Sequence, residues 1–333
     1  MKAIIIDESK NLVWTDVADP TMGADEVVVE VYAAALNRAD LLQRAGLYPP
    51  PPGAPEWPGL EVAGVIKAVG ERVAQNGKWH VGDRVCALLP GGGYAEYVSV
   101  PEGMLMSVPR GMSLIEASAI PEAYATGYLN LFIEGYAKPG ETLYMPAAKS
   151  GLASVVIPMA KAYGLRVITS VRGRQAVESV AYLNADRVID STVESVSQAL
   201  KEEADAGHPV DLAIDCLSGK DLGESLPYVA RGCRYIIIAA LAGEKTEIDC
   251  RKMYEKAIRI IGSTLRSRPV EVKCEILRRI QEEIYPFIES GAIRPRIHRT
   301  FPIVEAEKAH DEMKDGKNVG KIVLIVKEEK QLA

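Results

Sequence analysis

The sequence predicts an α/β protein of two domains, one mainly β and one built on a doubly wound sheet of six parallel strands. Three observations carry that expectation. The chain has 333 residues, 48% of them hydrophobic, enough to fill two cores. Residues 1–120 fall into short apolar runs separated by proline and glycine clusters. From about residue 121, strand-like and helix-like segments alternate, the pattern of a parallel sheet covered on both faces.

In the first region Met1–Asp7, Val27–Tyr32, Gly64–Val69 and Arg84–Leu89 are strand-like. Tyr48–Gly53 (YPPPPG) must be extended, because each proline fixes φ and restricts the residue before it. Gly91–Gly93 reads as a flexible turn. In the second region the candidate strands are Thr142–Ala147, Arg166–Ser170, Arg187–Ile189, Leu212–Asp215, Arg234–Ala239 and Ile258–Leu265. Helices are expected between them, for example over Gly151–Tyr163 and Glu194–Ala206. Pro158 should kink the first of these. A long amphipathic helix is expected over Val270–Glu289. It is followed by a strand near His298, a helix near Glu305–Met313 and a last strand, Lys321–Val326. The expected domains are 1–120 with 288–333, and 121–287, with a cleft between two lobes.

The first strand of the alternating region runs into Ala148-Lys149-Ser150-Gly151-Leu152-Ala153 and then a helix. Small residues let backbone N–H groups approach a pyrophosphate, and the helix N-terminus adds partial positive charge. Six such residues alone fit any tight strand–helix turn; the six-strand context points to a dinucleotide. The second strand ends at Ser170-Val171-Arg172-Gly173-Arg174. No acid lies between Arg166 and Arg174 to bind the ribose hydroxyls of NADH, and two arginines could face a 2′-phosphate. NADPH is therefore the expected cofactor; the alternative is a pair of solvated arginines on a loop.

Composition narrows the remaining classes. The net charge of −6 and the absence of a concentrated basic stretch argue against duplex nucleic acid. No run approaches the roughly 20 apolar residues needed to span a bilayer, and the N-terminus lacks signal-peptide features. A cytoplasmic protein is expected. Cys86, Cys216, Cys233, Cys250 and Cys274 are too far apart for a local zinc site and are expected to be buried, reduced thiols. His80, His208, His298 and His310 are widely spaced, and none sits in a triad-like motif.

Asn37–Asp40 (NRAD) and Gly59–Gly64 (GLEVAG) resemble two landmarks of the medium-chain dehydrogenase/reductase superfamily. In its zinc enzymes these positions carry a cysteine and a histidine ligand. Asn37 and Leu60 stand there in this chain, so the resemblance implies a metal-free member. Asn37–Gln43, Leu88–Gly93, Val100–Gly103, Ala119–Ala123, Gly262–Arg268 and Asn318–Leu324 are similar to the zeta-crystallin-type quinone oxidoreductases. The chain resembles the stress-inducible, apoptosis-associated animal members of that family in particular.

The resemblance implies a GroES-like, mainly β catalytic domain and a Rossmann domain. It places Asn37 and Tyr48 beside the nicotinamide and substrate, and Thr126 near the nicotinamide half. Ala148, Ser150, Gly151, Leu152 and Ala153 would form the pyrophosphate turn. Arg172, Arg174 and Ser191 would lie at the adenosine phosphate. Ala239, Leu241, Leu265 and Ser267 would close over the cofactor, and Asn318 would reach it from the tail. Strand Ile258–Leu265 would pair with its mate in a homodimer. Gly173, Ala176 and Ser191 depart from the family's phosphate contacts, which Arg172 and Arg174 could offset.

The implied reaction is hydride transfer from NADPH to a quinone, with Tyr48 either orienting the acceptor carbonyl or simply packing on the proline run. Two alternatives are an enoyl reductase acting on enones, and an NADPH-binding stress or crystallin-type protein with little turnover.

Overall fold

The computed structural model describes residues 1–329. The chain forms two compact units: Met1–Ala125 together with the chain from Arg266 onward, and Thr126–Leu265.

The first unit begins with the hairpin β1 (Lys2–Ile6) and β2 (Leu12–Asp16). It continues with β3 (Glu26–Ala35), β4 (Glu61–Val69), β5 (Arg84–Leu88), β6 (Tyr97–Pro101) and β7 (Leu105–Ser107). The strands β8 to β13 belong to the second unit. They are Thr142–Met145, Arg166–Val171, Arg187–Asp190, Leu212–Asp215, Arg234–Ile237 and Arg259–Gly262. The chain then returns with β14 (Ile297–Pro302) and β15 (Lys321–Ile325). These join the first unit's sheet, ordered β14-β15-β3-β4-β5-β7, with β6 also pairing β3.

Strand β3 shows why this sheet forms. Val27, Val29, Val31 and Ala33 alternate inward and are fully or almost fully buried, as period-2 geometry requires. Its partner β4 approaches closely at Gly64, where a Cβ would meet the Glu30 carbonyl oxygen at 2.0 Å. Only glycine allows that approach.

In the second unit the sheet order is β10-β9-β8-β11-β12-β13, all parallel. Every residue of β8 and β11 is buried, as expected for strands covered on both faces. The core packs Tyr144, Ile168, Ile189 and Tyr235 against Val196 and Leu200 of helix Val196–Asp205. All six expected strands are present, with ends shifted by a few residues.

Several expectations need correction. The helix over 270–289 is not continuous. Helix Val270–Arg279 passes into a π-helical turn, Ile280–Ile284, before Tyr285–Glu289. Pro286 is the physical cause: it has no N–H, and its ring clashes with the carbonyl four residues back. This segment belongs to the first unit, whereas the sequence suggests a second domain running to residue 287. Gly103 leaves room for Cys274, and Tyr285 donates to the Ser107 carbonyl at 2.8 Å, tying the helix to β7.

Gly91–Gly93 is not a loose turn. Its glycines are buried or nearly so, and the Gly92 carbonyl accepts the Trp57 indole N–H at 3.0 Å. Helix Ala153–Ala162 runs through Pro158. Cys86, Cys216 and Cys233 are buried free thiols, but Cys250 is exposed. Burial pushes the Cys86 and Cys233 thiols up to about 12. Among the described residues no helix is long and apolar enough to cross a membrane.

Candidate functional site

The candidate residues fall in both units, many of them in loops at strand ends. In the second unit the sheet order reverses between β8 and β11, so the first strand's turn opens at a topological switch point. That turn leaves β8 through Ala147, whose φ is +59°, a left-handed conformation that redirects the chain. Ala148 is buried and its N–H donates to the Ser170 carbonyl at 3.0 Å. The Ser150 hydroxyl accepts the Ala153 N–H at 3.0 Å, and the Ser150 carbonyl accepts the Ser154 N–H. Gly151 and Leu152 are half-buried at the mouth of helix Ala153–Ala162. A ten-residue helix aims its dipole at this turn.

The next loop holds the expected phosphate contacts. Arg172 is exposed and has no hydrogen bond or ion pair among the described residues. Arg174 is also exposed, 3.5 Å from Glu178, an i,i+4 pair of little strength in water. The Ser191 hydroxyl is turned back onto the Val171 carbonyl at 3.1 Å. One residue here escaped sequence reasoning. Asp190, at the end of β10, accepts the Gly173 N–H at 2.7 Å and both the N–H and hydroxyl of Thr192. Those bonds hold its carboxyl below the usual range. It lies 17 residues from Gly173 in sequence, and the β9–β10 register brings the two together.

A second loop pair follows β11 and β12. Asp215 accepts the N–H groups of Leu217 and Ser218 and the Tyr235 hydroxyl. Ser218, at φ +56°, donates its hydroxyl to the Ala239 carbonyl at 2.9 Å. Leu241 donates its N–H to the Cys216 carbonyl and leaves its side chain exposed. Leu265 is buried after β13. Thr126 opens this unit, its carbonyl accepting the Asn130 amide at 2.7 Å.

In the first unit the structure places Asn37 in a network absent from the expectations. Lys321, on β15, donates to the Leu36 carbonyl at 2.8 Å, Asn37 Oδ1 at 2.7 Å and Glu61 Oε1 at 2.5 Å. Glu61 Oε1 also accepts Asn37 Nδ2 at 3.0 Å, and its other oxygen accepts the Glu122 N–H at 2.8 Å. The ion pair is shut off from water, the side chains 2% and 0% exposed. Asn37 therefore has its amide oxygen and one amide N–H committed to holding four chain segments together.

The same turn carries a second buried network. Asp40 accepts the N–H groups of Asn37 and Gly59 and the Tyr94 hydroxyl at 3.2 Å. Tyr94 in turn lies 3.4 Å from His310 Nε2. Desolvation raises the Asp40 carboxyl to about 6 and lowers the His310 imidazole to about 3. With the Tyr94 proton given to Asp40, the neutral His310 donates from Nε2. Its Nδ1 is buried without a partner.

Tyr48 is half-buried, and its ring lies 5.2 Å from the Arg266 guanidinium. Arg266 donates to the Pro90 and Tyr48 carbonyls and to Gln43 Oε1. The Tyr48 hydroxyl has no protein partner among the described residues, and desolvation raises its pKa, so it stays a neutral donor. Ser267 is exposed, whereas Asn318 is buried with its amide donating to the Gly320 carbonyl.

Two family models match the chain, the alcohol dehydrogenase GroES-like domain over residues 23–110 and the zinc-binding dehydrogenase over 183–324. Quinone oxidoreductase of Mus musculus is 27% identical over 94% of this chain and 92% of its own length. The CurK enoyl reductase structure is 25% identical over 97% and 98% of the two chains, with a TM-score of 0.83. Mycobacterial Rv1454c, solved with NADPH, matches with a TM-score of 0.85 over 98% and 99%; at 24% identity that likeness speaks to the fold alone.

A zinc ion, which one model's name suggests, does not fit Asn37, Leu60 and Glu61. Neither a thiolate nor an imidazole is present, and the Lys321 ammonium already occupies the carboxylate and amide oxygens a cation would need. No three His, Cys, Asp or Glu side chains among the described residues are grouped to hold a metal.

Two outcomes follow. Lys321→Met strands a buried carboxylate and should cost about 3–5 kcal/mol in denaturant unfolding. Adding Glu61→Gln should recover about 2 kcal/mol of that loss; strictly additive losses would show the pair is not coupled. The second concerns pH. His310 stays neutral when folded, so its contribution is present above the unfolded pKa of about 6.5 and is lost as pH falls toward 3. Asp40 acts oppositely between about 6 and 4, because its folded form holds the proton more tightly. His310→Gln should therefore lose less stability than the parent on acidification from pH 6.5, by about 1.4 kcal/mol per unit. Parallel pH curves for the two proteins would contradict this.

Proposed function

We propose that the chain is an oxidoreductase of the medium-chain dehydrogenase/reductase superfamily, related to the quinone oxidoreductases, and that it reduces quinones or kindred electron-poor carbonyls with NADPH. One observation carries the cofactor half of this reading. The turn Ala147–Leu152 opens at the sheet's switch point, between a left-handed residue and a helix N-terminus. The residues fit a diphosphate: Ala148 and Ala153 bury their methyl groups, so they leave the turn narrow but open along its backbone. Ser150 has already taken one N–H, which leaves those of Gly151 and Leu152 as the donors.

Bound NADPH would supply the hydride. Arg172 would meet the 2′-phosphate, with Arg174 at the loop's outer edge and Ser191 contributing little, since its hydroxyl faces Val171. Asp190 repels that phosphate, so the preference for NADPH over NADH is moderate. Thr126, Ala239, Leu241, Leu265, Ser267 and Asn318 would line the cofactor. Tyr48 would hold the acceptor carbonyl with its unpartnered hydroxyl, its ring fixed by Arg266. Asn37 would serve by position, since its amide is occupied. The enoyl reductase reading rests on the likeness to CurK.

Strand β13 ends the parallel sheet and exposes its outer edge beside exposed Ile248 and Tyr254. An uncovered apolar edge favours pairing with a second copy. A homodimer is expected by sedimentation, and Ile261→Lys should shift it toward monomer.

Calorimetry should find NADPH bound more tightly than NADH. Arg172→Ala should erase most of that difference, a loss of roughly tenfold or more for one charge-assisted contact. Absorbance assays with 1,2-naphthoquinone and small enones separate the two acceptor classes. Absence of binding by either dinucleotide would end the proposal.

A further inference from the structure

A second cation, Lys273, lies near Arg266, whose guanidinium sits beside the Tyr48 ring. Lys273, on helix Val270–Arg279, and Arg266 are both buried, 6% and 7% exposed. Lys273 Nζ donates to the Arg266 carbonyl at 3.3 Å. Among the described residues neither cation has a carboxylate within ion-pair distance, and neither is a surface charge whose isolation water would excuse.

Their hydrogen bonds are incomplete. Arg266 uses three of its five N–H groups, on Pro90, Tyr48 and Gln43, and Lys273 uses one of its three. Four donors on two buried cations remain. The field of Glu122 reaches Tyr48, Arg266 and Lys273 alike, and that of Asp40 reaches Arg266 as well. Burial lowers the pKa of both cations, the sign of charge held without full compensation.

A fold does not retain such a group for stability, since burying charge without an anion is costly. An incoming anion would repair it. We propose that Arg266 and Lys273 bind an anionic substituent, a carboxylate or sulfonate, on the acceptor whose carbonyl Tyr48 holds. This rests on the oxidoreductase reading and narrows its substrate class to acidic quinones or enones.

The test compares 1,2-naphthoquinone with 1,2-naphthoquinone-4-sulfonate. Because the two differ in intrinsic reactivity, the quantity read is the ratio of their kcat/KM values, taken relative to the parent enzyme. Lys273→Met should lower the sulfonate-to-neutral ratio by about tenfold, and Lys273→Arg should largely retain it. Lys273→Met should also unfold no earlier than the parent, because it removes an uncompensated charge but keeps the stem. An unchanged ratio overturns the proposal, and so does a Met variant destabilised where the Arg variant is not, which would mark Lys273 as structural. Equal weakening of NADPH binding without acceptor overturns it too, assigning the cations to a cofactor phosphate. If the parent reduces neither quinone, the oxidoreductase reading has failed instead. Calorimetry of the sulfonated quinone against parent and Lys273→Met then decides the anion site by itself: tighter binding to the parent upholds it, equal binding ends it.

Discussion

The buried pair of Glu61 and Lys321 is the constraint on which the first unit's candidate site depends. One ammonium and one carboxylate, both removed from water, bind the end of β3, the start of β4, the first turn of helix Pro121–Tyr128 and the last strand β15. At low dielectric such a pair is tolerated only when every remaining donor and acceptor is met, and here they are: three bonds from the ammonium and three to the carboxylate. The consequence is geometric. Asn37 is held in one orientation, and the turn that carries Asp40 and leads to Tyr48 begins from a fixed point.

This network also accounts for the chemistry available. With its carboxylate and amide oxygens taken by a fixed cation, the first unit has no vacancy for a Lewis acid among Asn37, Leu60 and Glu61. On the proposed function, the first unit offers an acceptor the neutral phenol of Tyr48, beside the Arg266 guanidinium. Such a group can orient a carbonyl and donate a hydrogen bond, which suits acceptors whose reactivity lies in their own electron deficiency. The second unit carries a backbone-lined turn at a helix N-terminus.

Much of the fold was legible because it rests on local rules. The six parallel strands follow from apolar runs separated by helical periods, and the turn at 148–153 from small residues between strand and helix. The helix over 270–289 was misjudged at Pro286 because amphipathic periodicity survives a π-turn almost unchanged, while the hydrogen bonding does not. The site was legible in part. Tyr48 and Arg172 keep functional groups without a protein partner among the described residues, which leaves open both roles their residue types allow. Ser191 and Asn318 were chosen from resemblance, and the structure turns both toward neighbouring carbonyls. Asp190, Lys273 and Lys321 gave no signal, since a charged residue at a strand end or on a helix usually faces water.

The sequence by itself determined the element types, the parallel sheet, the side chains at positions 37 and 60 and the place of the small-residue turn at 148–153. Each of these follows from residues near one another along the chain, through periodicity, turn chemistry or the donor atoms a side chain carries. Only the tertiary structure decided which charges are buried and what they meet. Lys321 lies 260 residues from Glu61, and Arg266 lies 223 from Gln43. Desolvation is a property of the folded surroundings, not of the residue, so a lysine in sequence is a solvated charge until packing removes its water.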